Sequence, residues 1–130
     1  MALTLVTITG TFSNPDGSMP NGALMFQLVD STGNPVGIQD SVGGTQVVPL
    51  VVAGIVHSGV LLWNSPGGGG YNPLKLYAND DPTTVPAGTY YLVTEQLAVA
   101  TSAPQLGPWP FFVHHTNTTQ DISTQRPASV

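Results

Sequence analysis

The chain contains no cysteine. That excludes a disulfide framework, a thiolate zinc site and a cysteine nucleophile. Charge is also scarce, at 7 % of residues, where an average soluble domain carries about 25 %. Only Lys75 and Arg126 are basic. Nucleic-acid binding draws most of its affinity from Lys and Arg on phosphates, so DNA and RNA are excluded as partners. Long apolar runs are missing too. The longest, VVPLVVAGIV at 47–56, has about half the length of a membrane-spanning helix, and Pro49 interrupts it. The opening MALTLVTITG alternates apolar residues with Thr. It lacks the basic start, continuous apolar stretch and cleavage site of a signal peptide, so the expectation is a soluble protein made in a cytoplasm.

What the chain does have is enough apolar content to fold: 41 % of 130 residues, one domain's worth with a real core. Polar positions are filled by Thr, Ser, Asn and Gln. Such a surface offers little electrostatic repulsion between copies and suits a protein packed against neighbours. The 15 Gly and 12 Pro fall in clusters between short apolar runs, and no helical period survives between them. That pattern predicts an all-β fold.

Strands are expected over residues 3–12, 22–29, 45–56, 60–63, 74–78, 89–97, 111–115 and 120–123, with 36–39 a candidate short strand. The first two are expected to pair antiparallel across the turn SNPDGSMPN. Pro49 must lie on an edge or at a bulge. Ser58-Gly59 reads as a tight turn, and SPGGGG at 65–70 as a flexible loop. The whole reads as a single antiparallel β-sandwich over 1–130, of about seven to eight short strands, Ig-like or transthyretin-like, with 124–130 as a tail.

The segment ANDDPTTVPAGTYYLVTEQL, 78–97, carries three of the seven acids. Pro82, Pro86 and Gly88 make it a turn leading into a strand. Asp80 and Asp81 are expected to accept nearby amide bonds and stay solvated. Alternation puts Glu95 on the face of Tyr91 and Val93, opposite Tyr90, Leu92 and Thr94. A calcium site would need six to eight oxygens; Asn79, Asp80, Asp81 and Asp121 could supply only some, and no EF-hand spacing exists. His114 and His115, adjacent in a strand, would point to opposite faces, and His57 is remote in sequence. No metal or other cofactor is expected. No G-x-S-x-G elbow supports a serine triad. PGGGGYNP lacks the Lys-Ser/Thr of a phosphate loop, and Asn117-Thr118-Thr119 is a chance sequon.

Aromatic residues remain. Trp63, Trp109, Tyr71 and Phe111 could line a sugar platform, though such residues are more often core or interface anchors. Trp109 lies between Pro108 and Pro110 in the stretch TSAPQLGPWP, 101–110, read as a stiff loop. That loop is expected to be an interface element through Leu106 and Trp109. The tail STQRPASV has little to bury, and Pro127 bars a strand through it. It is expected to be held by a neighbour, with Arg126 on a partner's carboxylate. Trp63 and Tyr71 complete the candidate interface set: Trp109, Leu106, Arg126, Trp63 and Tyr71.

Three segments point to a family. TGTFSNPDGSMPNGALMFQL (9–28), DDPTTVPAGTYYLVTEQ (80–96) and FFVHHTNTTQDISTQRP (111–127) resemble small domains of actinobacterial tailed-phage virion proteins, commonly minor tail proteins. The likeness spans most of the chain and is carried by turn residues and spacing. It departs at 36–73, which is longer here, and in the absence from these residues of the large C-terminal region often attached to such domains. The resemblance implies a compact sandwich of the carboxypeptidase-regulatory or transthyretin-like type and no catalytic residues. The expectation is therefore a non-enzymatic virion structural protein, in the tail or tail tip or as a capsid decoration. It would contact other virion proteins and copies of itself, with neither nucleic acid nor membrane as partner. The alternative is a carbohydrate- or host-receptor-binding module, with Trp63, Tyr71 or Trp109 exposed together on one face toward a host-surface glycan.

Overall fold

The structure, a computed structural model, describes residues 3–13, 15–44, 46–49, 51–64, 71–98 and 108–127. Alternation of apolar and polar residues turns directly into alternating burial. In β1 (Leu5–Thr9) Val6 and Ile8 are buried while Leu5 is exposed. In β2 (Asn21–Val29) Leu24, Phe26 and Leu28 point inward. The short strands β3 (Ile38–Asp40) and β4 (Gln46–Val47) follow. The 45–56 run is not one strand: β4 ends before Pro49, which has no N–H to donate, and β5 begins at Val52 and runs to His57. A two-residue turn joins β5 to β6 (Val60–Asn64). Ser58 and Gly59 both take positive φ, 49° and 80°, the geometry that matches strand twist in a tight hairpin. The remaining strands are β7 (Tyr71–Asn72), β8 (Leu74–Tyr77), β9 (Thr84–Val85), β10 (Tyr90–Ala98), β11 (Trp109–Phe111) and β12 (Thr119–Asp121). A 3-10 turn, Ile122–Thr124, closes the described chain.

The fold is all-β and sandwich-like, with more strand segments than the seven to eight expected, several of them only two or three residues long. One sheet has the order β11-β10-β2-β5-β6-β7, a second β12-β1-β8, and a small third β4-β3-β9. Side chains from the two larger sheets meet in one core around Phe26, Phe111, Ile8 and Leu74. Gly54 lets them meet: a Cβ there would lie 2.8 Å from Leu61 Cδ1 and 3.0 Å from Leu74 Cδ2.

The expected pairing of the first two strands does not occur. β1 pairs with β8 antiparallel and β12 parallel, while β2 lies between β10 and β5. The connection between them, 10–20, is too long for a tight hairpin, which uses two to five residues. It instead carries the chain from one sheet to the other. Both ends of that crossover are stitched to the β5–β6 turn, where Phe12 N–H donates to Gly59 O and Gly59 N–H to Pro20 O.

Candidate functional site

The three acids of 78–97 end in three separate environments. Asp81 is buried, at 4 % exposure, and accepts from Thr4 N–H at 2.9 Å and Thr4 Oγ1 at 3.1 Å. It fastens the start of the described chain rather than staying solvated as expected. Its partner lies 77 positions away, beyond the reach of local turn rules. Asp80 is partly exposed and accepts from His115 N–H at 2.7 Å. The Nδ1 atoms of His114 and His115 both lie 3.0 Å from its carboxylate oxygens. Burial opposes ionisation of Asp80, but the bonds from the His114 ring and from the His115 amide and ring outweigh it and hold its carboxyl below the usual range. The two histidines do not diverge as strand neighbours would. β11 stops at Phe111, and Asn117 N–H closes a turn onto His114 O, so both rings swing to one carboxylate.

Glu95 lies on the face of Tyr91 and Val93, as alternation requires. That face is the core face, and Glu95 is only 3 % exposed. Its carboxylate is satisfied by Arg126, with Nε on Oε2 at 2.7 Å and Nη2 on Oε1 at 2.8 Å, and by Trp109 Nε1 on Oε2 at 2.9 Å. Arg126 also lies over the Phe12 ring, 5.3 Å from its centroid. A buried carboxylate is tolerable only when paired and hydrogen-bonded in this way.

This network overturns two interface expectations. Trp109 is in β11, 2 % exposed, and belongs to the core. Its flanking prolines fit an edge strand, because the alternate N–H positions of β11 face away from β10 and Pro has none to leave unpaired. Arg126 pairs with a carboxylate of its own chain, so it is not free for a partner's. The tail is held likewise as far as Pro127: Ile122 is buried, and Gln125 Oε1 accepts from Phe112 N–H at 2.7 Å. Leu106 and the rest of 101–107 lie outside the described residues, as do 128–130.

The proposed calcium donors are not gathered either. Asn79 spends its amide on Val113 N–H and Thr89 O. Asp121 sits on β12, accepting from Thr9 and Ser123. Among the described residues, no three His, Asp or Glu side chains are arranged to hold a metal ion. His57 is remote from the other two histidines and stacks on Tyr71, with centroids 4.5 Å apart.

Trp63 and Tyr71 are exposed, at 37 % and 48 %. They do not form one platform. Trp63 lies opposite Asn72 and Asn64 opposite Tyr71, so alternation sends the two rings to opposite faces of the β6–β7 ribbon. Trp63 instead lines a groove of about 1020 Å³ with Leu5, Val51, Val52, Pro73 and Leu74. The groove exists because β6 pairs only with Ile55–His57 of β5 and then leaves to pair with β7. Among the described residues, no strand pairs with 51–54 on that side. Leu5 and Val51 are about half exposed beside it, at 47 % and 51 %.

One exposed ring was missed in the sequence. Phe112 is 42 % exposed, between the fully buried Phe111 and Val113. The alternation of Trp109–Val113 carries that signal once the inward face is known. No protein-family model, curated protein or solved structure matches this chain.

Proposed function

We propose that this chain is a non-catalytic structural protein of a tailed-bacteriophage virion, in the tail or tail tip or decorating the capsid. It works by contact with other virion proteins and with copies of itself. The observation that carries the reading is the apolar groove at Trp63. Large apolar side chains around an open groove mark an interaction surface. Here they sit on a chain with only two basic and seven acidic residues, whose surface does little to repel a neighbour. Lys75 is the single charged residue among those lining the groove. The resemblance of 9–28, 80–96 and 111–127 to phage virion domains supports the location.

The test is composition. Particles are purified from infected cells by density gradient, and the chain is quantified against the major capsid protein by mass spectrometry. A fixed, multiple-copy ratio across the particle band is expected. Presence in the lysate but absence from the particles would remove the virion reading. In the same assay Trp63→Asp should lower incorporation while leaving the fold intact, since it places a charge in an otherwise apolar contact.

A further inference from the structure

At the opposite end of the six-stranded sheet from Trp63, the Phe112 ring stands out from the surface just past β11. Its backbone is clamped. Phe112 N–H donates to Gln125 Oε1, and Phe112 O accepts from Gln120 Nε2 at 2.6 Å and Gln125 Nε2 at 2.8 Å. The Tyr90 ring packs against it, tilted, with centroids 5.7 Å apart. The ring is therefore pre-positioned, which reduces the entropy lost when something binds it.

Phe112 forms the ridge between two depressions. The first, about 700 Å³, is lined by Pro110, His114, Asn117, Asp121 and Thr124 beside the ring. The second, about 380 Å³, is lined by Asp80, Thr84, Gly88 and Thr89. Thr84 and Thr89, 6 % and 2 % exposed, form its closed floor. Gly88 leaves the mouth open, with nothing within 4 Å of where a Cβ would stand.

We propose that the Phe112 ridge binds a neutral saccharide. The apolar C–H face of a sugar ring lies on Phe112, and its hydroxyls reach the polar groups on either side. Asp80 and Asp121 accept from hydroxyls, and each carboxylate oxygen has lone pairs beyond those its protein donors use. The Asn117 amide is a further polar partner. Charge selects against anions: two carboxylates border the ridge, His114 and His115 both sit on one of them, Lys75 is on β8, and Arg126 is engaged by Glu95. That disfavours phosphate, nucleic acid and acidic sugars. An extended peptide adding as a strand is disfavoured too, because Gln120 and Gln125 already occupy the backbone groups of Phe112. The site is shallow and open, so a single sugar should bind with a Kd on the order of 1 mM. Copies repeated in an assembly would convert such weak sites into firm attachment.

The test is an amide chemical-shift titration of the labelled protein with three neutral probes: methyl α-mannoside, methyl β-galactoside and methyl β-N-acetylglucosaminide. N-acetylneuraminic acid serves as the anionic control. At least one neutral probe should give saturable shifts at Gly88, Phe112 and Asn117, and the control none. Phe112→Leu keeps an apolar side chain at a half-exposed position and should weaken binding about tenfold. Phe112→Trp should retain it, and Trp63→Leu, at the other end of the sheet, should leave it unchanged. The proposal is overturned by no shift with any neutral probe in large excess over that Kd. Equal binding by Phe112→Leu, or equal binding of the acidic sugar, overturns it as well.

Discussion

Replacing Arg126 with Met removes the guanidinium and keeps most of the apolar stem. The Glu95 carboxylate would then stand in the core with only Trp109 Nε1 as donor. Breaking a fully buried ion pair from one side costs about 3–5 kcal/mol. The Arg126 side chain is 31 % exposed, so water shares its end of the pair, and the surviving indole bond offsets part of the loss. An expected cost of about 2–3 kcal/mol follows from these opposing terms. That is a large share of the total for a domain whose stability is about 5–15 kcal/mol. It corresponds to a fall in Tm of about 10 °C. Urea unfolding followed by tryptophan fluorescence measures it as a lower midpoint at unchanged slope. The double variant Glu95→Gln, Arg126→Met removes the stranded charge and should recover to within about 1 kcal/mol of the parent. A single variant within about 0.5 kcal/mol of the parent would refute the reasoning. So would a double variant no more stable than the single, which would assign the loss to packing rather than to charge.

Three further outcomes follow from the same structure. Trp109→Ala should destabilise the isolated domain by about 3–5 kcal/mol in urea melts, because it opens a cavity beside Phe111 and strips a donor from Glu95. Gly54→Ala should cost about 1–3 kcal/mol by overpacking against Leu61 and Leu74, read as a lower Tm in calorimetry. Stability should also fall in acid. The carboxyls of Asp16, Asp30, Asp40 and Asp121 are held below the usual range, first by the Ser18 hydroxyl, the Thr32 hydroxyl, the Val42 amide and the Ser123 amide respectively. Asp80 is held low by the two histidines against its burial. Groups depressed on folding stabilise above their unfolded value, about 3.9 for Asp, and lose that contribution as pH falls through the lower folded values. The urea midpoint should therefore be nearly flat just above pH 5 and drop steadily below pH 4; a midpoint that rises on acidification would contradict the assignment.

Much of the local architecture is legible in the sequence, because strand periodicity and turn chemistry are local. Alternation over 89–97 orders the faces of β10 correctly, and Ser58-Gly59 is a tight turn as its residues require. The 45–56 run reads as one strand with Pro49 at an edge or bulge, whereas the structure ends β4 before Pro49 and starts β5 at Val52. What is not legible depends on distant partners. That β1 joins β8 and β12 rather than β2 is decided by where the 10–20 crossover delivers the chain. Glu95 is placed on the right face, but its burial makes sense only with Arg126, 31 residues on. Trp109 looks like a loop anchor between prolines until its N–H finds Glu95. The histidine pair converges on Asp80 because the strand ends three residues before His114. Trp63 and Tyr71 are named in the sequence as interface candidates, and only the register of β6 on β7 shows that they face opposite ways.

The central claim is that the groove at Trp63 is where this chain meets other virion proteins. Since the chain has no cysteine, Lys75→Cys places a single thiol at the groove rim without disturbing Trp63. Ser41→Cys places one on an exposed turn well outside the groove residues. Labelling the thiol in assembled particles with a short thiol-reactive photo-cross-linker, irradiating, then identifying products by mass spectrometry, reads the contact directly without needing a partner amine, since Lys75 is the chain's one lysine. Position 75 should couple to a defined virion protein or a second copy of this chain, and position 41 should not. Equal or absent coupling at position 75 in particles that contain the chain would contradict the account.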